Sequence, residues 1–178
     1  MTKDSIALIG FMATGKSTIG KALVEYLGND YRFIETDQLV VEMASKSIPR
    51  IFAEDGEEKF RDYEVMVCEK VAKLKKVIIS CGGGIVLNMS NITKLKKNSH
   101  IVLLKATVED IYNRVLKNSK KSRPLINTED PKKEIERILK KRKKYYQTAA
   151  EITVNIKDKS IEEIVNEIIE KTKIGKIN

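Results

Sequence analysis

The chain has 178 residues, with 34 Lys and Arg against 25 Asp and Glu for a net charge of +9, and 42% of it is hydrophobic. That length fits one hydrophobic core, and the composition is that of a globular protein, which excludes a fibrous or disordered chain. The two cysteines, Cys68 and Cys81, lack a metal-ligand spacing and are expected as reduced thiols.

The first apolar run, Ile6-Ala7-Leu8-Ile9, is too short for a signal-peptide core or a membrane span. A cytoplasmic protein without a membrane partner is therefore expected. The basic balance favours anionic partners, whether polyphosphates, acidic metabolites or nucleic acid, and charge alone does not choose among them.

Short β-branched runs alternate with longer amphipathic stretches, the pattern of βαβ units around a parallel sheet. The chain is read as strand Ser5–Gly10, helix Lys16–Leu27, strand Arg32–Glu35, then helices Asp37–Lys46 and Glu57–Leu74. Strand Val77–Ser80, helix Asn88–Lys96, strand His100–Lys105 and helix Thr107–Leu116 follow. Helix Pro131–Tyr146, strand Glu151–Ile156 and helix Ser160–Lys171 complete it. Thr107 with Asp110 and Ser160 with Glu163 form capping boxes, and Asp130 before Pro131 marks a helix start. No repeat or Pro/Gly-rich hinge interrupts the sequence, so residues 1–178 are expected as one α/β domain with a parallel five-stranded sheet flanked by helices. Lys117–Glu129 carries few apolar residues and cannot bury much, so a mobile lid is expected over about residues 117–130.

Gly10-Phe11-Met12-Ala13-Thr14-Gly15-Lys16-Ser17 matches the Walker A spacing, between a predicted strand and a predicted helix as that motif requires. Its glycines let successive N–H groups and a helix N-terminus converge on one phosphate. Lys16 would reach the β- and γ-phosphates of ATP, and the Ser17 hydroxyl would help hold magnesium. Ala13, Thr14, Gly15 and Thr18 complete the predicted ATP contacts. In an open parallel sheet ligands gather at the carboxyl ends of the strands. The cradle, Asp37 and Gly82-Gly83-Gly84 all fall at such ends. Asp37 can orient an acceptor hydroxyl and take its proton, or simply cap the next helix, and the two roles are compatible.

The order and combination of four segments resemble the shikimate kinase family, from Ile6 to about Val154. The segments are Gly10–Ser17 with Thr18-Ile19-Gly20; Phe33-Ile34-Glu35-Thr36-Asp37; Ile48-Pro49-Arg50-Ile51-Phe52 with Gly56-Glu57, Phe60-Arg61 and Glu64; and Gly82–Gly84, Arg123-Pro124-Leu125, and Arg142 with Tyr146. The resemblance implies a P-loop kinase that uses ATP and magnesium to convert shikimate to shikimate 3-phosphate. It implies that Arg61 and Arg142 hold the acid's carboxylate, that Gly83 faces its hydroxyls, and that Arg123 swings in with the lid to stabilise the transferring phosphoryl. It also implies that Arg114 packs against adenine. Glu35 stands where an Asp is common and is expected to reach magnesium through water. Ala13 stands where Gly is frequent, and alanine is expected to fit only if that position avoids positive φ. A monomer is expected. A kinase for another small acid or sugar, such as gluconate, shares the cradle and remains the alternative. A nucleic-acid module is suggested only by charge and the run Lys140–Lys144, without a recognisable binding signature. A nucleotide switch without turnover gives no reason for an acidic residue, three glycines and two arginines to share a crevice.

Overall fold

The apolar run after Asp4 builds β1 (Ser5–Ile9), in which every side chain is buried. A strand buried on both faces needs cover on both sides, which crossover helices provide. The computed structural model describes residues 3–117 and 128–175. Within them β1 is followed by α1 (Lys16–Leu27), β2 (Arg32–Glu35), α2 (Thr36–Ala44), α3 (Ile48–Glu54) and α4 (Gly56–Val71). Then come β3 (Val77–Ser80), a single 3-10 turn at Ile85–Leu87, α5 (Met89–Leu95), β4 (Ser99–Lys105) and α6 (Val108–Lys117). The chain finishes with α7 (Pro131–Ala149), β5 (Ile152–Asn155) and α8 (Ile161–Thr172).

The strands form one five-stranded sheet in the order β2-β3-β1-β4-β5, and every pairing is parallel. From β1 the chain crosses outward to β2 and returns through β3, then crosses to the other side through β4 and β5. This reversal opens a crevice beyond the carboxyl ends of β1 and β3, where doubly wound sheets bind ligands.

Alternation along β1 divides the core. Ala7 and Ile9 pack with Val40, Val67, Ile79 and Tyr146 on one face. Ile6 and Leu8 pack with Leu23, Val154 and Ile168 on the other. A smaller cluster of Phe11, Ile111, Ile135 and Ile138 ties the loop after β1 to α6 and α7.

All five expected strands form, each within a residue or so of its expected ends, and α1 matches at both ends. One helix was not expected. Ile48–Glu54 folds as α3 with its proline in the first helical positions, where a missing N–H costs nothing. Seven residues are too few to display a period, which is why the pattern escaped notice. Lys117 closes α6 and residues 128–130 lead into α7. The remainder of the expected lid, with Arg123, lies outside the described residues.

The expected caps are in place. The Asp110 amide donates to Thr107 Oγ1 at 3.1 Å, and the Lys133 amide donates to Asp130 Oδ1 at 3.1 Å. At α8 the Glu163 amide donates to Ser160 Oγ at 3.1 Å while the Ser160 amide donates to Glu163 Oε2 at 2.7 Å. Ser160 lies on the surface, so Ser160→Ala should lower unfolding stability by about 1 kcal/mol through loss of this cap. Chemical denaturation measures that loss, and the catalytic rate should not change.

Candidate active site

Gly15, at φ 89°, turns the chain into α1, whose first turn has neither a side-chain cap nor an acidic residue. The positive end of the helix therefore faces the loop without an acidic side chain to neutralise it, a place suited to an anionic ligand. Lys16 Nζ donates to the carbonyls of Gly10 at 2.9 Å and Phe11 at 2.8 Å, which folds the ammonium across the loop. Buried Thr14 braces the same loop, its hydroxyl donating to Phe11 O at 2.9 Å. Arg114 reaches over from α6 and donates from Nη1 to Ala13 O at 3.3 Å. Thr18 is exposed at the start of α1.

The Ser17 hydroxyl donates to Glu35 Oε1, and Ser80 Oγ lies 3.5 Å from Ser17 Oγ. Hydroxyl and carboxylate oxygens are the hard donors that magnesium accepts. Magnesium of this class needs only one or two protein oxygens, because phosphates and water fill the rest of its shell. The donor set fits the metal.

Asp37 lies in the first turn of α2 without capping it. The residue is exposed. The protein around it still denies the charge full hydration, which pushes the carboxyl above its ordinary range. Lys16 and Arg61 draw it back, and Glu35 pushes it further up. Gly82 lies against this carboxylate: a Cβ there would collide with Asp37 Oδ1 and sit 3.3 Å from Glu64 Oε1. Gly84 is equally confined, since its Cβ would meet Arg61 Nη1 at 2.5 Å. The absence of side chains at these two positions is what lets α2 and α4 bring their charges to the strand end.

Arg61, on α4, is clasped along its own helix. It donates from Nη1 to Glu64 Oε2 at 2.5 Å and from Nη2 to Glu57 Oε1 at 2.8 Å. Glu64 is only 2% exposed, and its Oε1 has no hydrogen-bond partner among the described residues. Burial raises its carboxyl, and Arg61 and Arg142 pull against that. Arg142 comes from α7 and donates from Nη1 to Gly83 O at 3.2 Å, while Tyr146 Oη donates to the same carbonyl at 2.6 Å.

The structure thus brings Lys16, Ser17, Glu35, Asp37, Arg61, Gly83, Arg114 and Arg142 to one crevice, and Arg123 lies outside the described residues. Glu64 and Tyr146 received no role of their own in the sequence reading. The spacing of Arg61 to Glu64, three apart on a helix, was the available signal for the first.

A parallel sheet of this order with a Walker A cradle after β1 defines a P-loop nucleotide-binding fold. The family model described as shikimate kinase matches residues 12–173. A shikimate kinase of Caldanaerobacter subterraneus subsp. tengcongensis is 45% identical over 165 residues, covering 93% of this chain and 94% of that one. A solved structure of shikimate kinase from Acinetobacter baumannii in complex with shikimate superposes with a TM-score of 0.89 at 28% identity, covering 99% of this chain and 97% of that one. The chain belongs to the shikimate kinase family. A gluconokinase from Sinorhizobium meliloti, with a TM-score of 0.62 at 18% identity over 97% of this chain and 94% of that one, shares the fold alone.

One expectation is overturned. Alanine was expected to fit at position 13 only if that position avoids positive φ, yet Ala13 sits there at φ 60°. The cradle holds Ala13 in the left-handed region, so the strain falls on its Cβ. Ala13→Gly should therefore stabilise the fold by about 0.5–1 kcal/mol, measured by chemical denaturation.

Proposed function

We propose that this crevice transfers the γ-phosphoryl group of ATP to a hydroxyl of shikimate, giving shikimate 3-phosphate. The observation that carries this reading is the convergence of Asp37, Arg61 and Arg142 on the Gly82–Gly84 run beside the phosphate cradle. Family membership and the shikimate-bound relative support it.

In this reading the amides of Ala13, Thr14, Gly15, Lys16, Ser17 and Thr18 hold the phosphates, with Lys16 moving its ammonium from the loop carbonyls to the β/γ bridge. Ser17 would hold magnesium and Glu35 would reach it through water, and the ion when bound would neutralise the phosphate oxygens. Arg61 and Arg142 take the acid's carboxylate with paired charge-assisted hydrogen bonds. Gly83 faces the ring hydroxyls. Asp37 orients the accepting hydroxyl and takes its proton. Arg114 packs beside the adenine, and Arg123 supplies transition-state charge. We also read the chain as a single domain that acts as a cytoplasmic monomer. Among the described residues no helix is long and apolar enough to cross a membrane.

Turnover compared on shikimate, gluconate and nucleoside monophosphates tests the substrate, and shikimate should be preferred by orders of magnitude. Arg61→Ala and Arg142→Ala should each weaken shikimate binding by about 2–3 kcal/mol while leaving ATP affinity nearly intact.

Asp37→Asn should lower the single-turnover rate about 100-fold, at the low end for general bases because the loose transition state asks little of one. The pH profile gives a second check. Protonating Asp37 removes the base, so activity falls as pH drops through its pKa. Because that pKa is raised, the acid limb of kcat/KM for shikimate should lie above the ordinary aspartate range. The limb should vanish in Asp37→Asn.

A further inference from the structure

The glycine run after β3 has no side chains of its own to hold it in place. Hydrogen bonds must fix its peptide planes. The Gly82 amide donates to Thr36 Oγ1 at 2.9 Å, and the carbonyls of Gly82 and Gly84 accept from the amides of Ile85 at 3.2 Å and Leu87 at 2.9 Å. The middle carbonyl, of Gly83, is instead held by two side chains one turn apart on α7, Tyr146 and Arg142.

These two donors differ in what else they must do. Tyr146 is 5% exposed and packed into the core face that includes Ala149, Ile85 and Val86. Burial pushes its hydroxyl up to about 12, so it stays protonated and remains a donor. A buried phenol needs a partner for its hydroxyl, and here that partner is the Gly83 carbonyl. Arg142 is half-buried, and the carboxylate of an acidic substrate is a far better acceptor for it than a carbonyl. A guanidinium drawn to that carboxylate abandons Gly83 O. Without a second donor the carbonyl would be left unpaired in the crevice wall, and the cost would be charged against substrate binding.

We propose that Tyr146 is a positioning residue for acid binding. It keeps the Gly83 carbonyl paired and the Gly83 peptide oriented, so that Arg142 is released to the substrate carboxylate. The inference rests on the reading of Arg142 as a carboxylate ligand and adds the residue that makes its release cheap.

Tyr146→Phe tests this, because the ring and its packing stay while the hydroxyl goes. Shikimate affinity is measured by calorimetric titration of the whole protein for Tyr146→Phe, Arg142→Ala and the double variant. Melting temperature and KM for ATP are measured alongside. Tyr146→Phe should weaken shikimate binding about three- to tenfold, the range that one neutral hydrogen bond is worth, with KM for ATP unchanged. In the Arg142→Ala background the same change should have almost no further effect on affinity, since no guanidinium then leaves the carbonyl.

Three results would overturn the proposal. Unchanged shikimate affinity in Tyr146→Phe, with a clear loss in Arg142→Ala, would reduce Tyr146 to packing. An equal loss in both backgrounds would separate it from Arg142. A loss that affects ATP and shikimate alike, with a large fall in melting temperature, would mark general destabilisation. If Arg142→Ala alone leaves shikimate affinity intact, the carboxylate reading itself fails. That outcome is recognised from the single variant before Tyr146 enters.

Discussion

The parallel pairing of β1 with β3 and β4 is the constraint on which the site depends. No side chain of β1 is exposed, so its register is held from both faces, and a one-residue slip would exchange its two core faces. With Leu8 opposite Ser80, the two chains leave the sheet side by side, and the Cys81 amide still donates to Leu8 O at 3.0 Å. The loops that follow are therefore adjacent: a Cβ on Gly83 would lie 3.5 Å from the Met12 amide. The phosphate cradle and the glycine run share a crevice because the strands beneath them share hydrogen bonds.

Onto that edge β2 and the helices deliver opposing charges. Glu35, Asp37 and Glu64 face Lys16, Arg61 and Arg142. The two raised carboxyls, Asp37 and Glu64, are lifted by lost hydration; Arg61 restrains both, with Lys16 beside Asp37 and Arg142 beside Glu64. Removing Arg61 or Arg142 strips compensation from the buried Glu64 carboxylate, which cannot move to water. The clasp of Arg61 between Glu57 and Glu64 has a second consequence. A guanidinium already fixed at two nitrogens loses less freedom when a substrate carboxylate arrives than a solvated arginine would.

Much of this was readable beforehand because local chemistry and global fold agree. The strands are β-branched or apolar runs of the right length, α1 begins at a glycine and a lysine whose spacing is fixed by phosphate geometry, and three helix starts carry cap chemistry in the sequence. What stayed hidden needed three-dimensional neighbours. The left-handed turn at Ala13 is imposed by the cradle on a residue with no propensity for it. The orphan oxygen of Glu64 and the Tyr146 hydrogen bond to Gly83 depend on which helices meet at the strand ends, and no spacing within the chain reports that. Helix α3 was too short for its periodicity to show.

The position of Arg142 marks the border between the two cases. It lies in the run Lys140–Lys144, where a reading of charge alone assigns every residue to solvent, and Lys140, Lys141, Lys143 and Lys144 are exposed. Helical periodicity separates the middle residue from its neighbours. Ile135, Ile138, Tyr146 and Ala149 are buried on α7, and position 142 falls on the same stripe, four residues from both 138 and 146. An arginine on the buried stripe of an amphipathic helix must find acceptors inside the protein. Here it finds the Gly83 carbonyl at the mouth of the crevice, with the buried Glu64 carboxylate close enough to feel its charge. The same periodicity explains how one helix supplies a solvated basic face and a ligand-facing cation from adjacent residues, without any break in the helix between them.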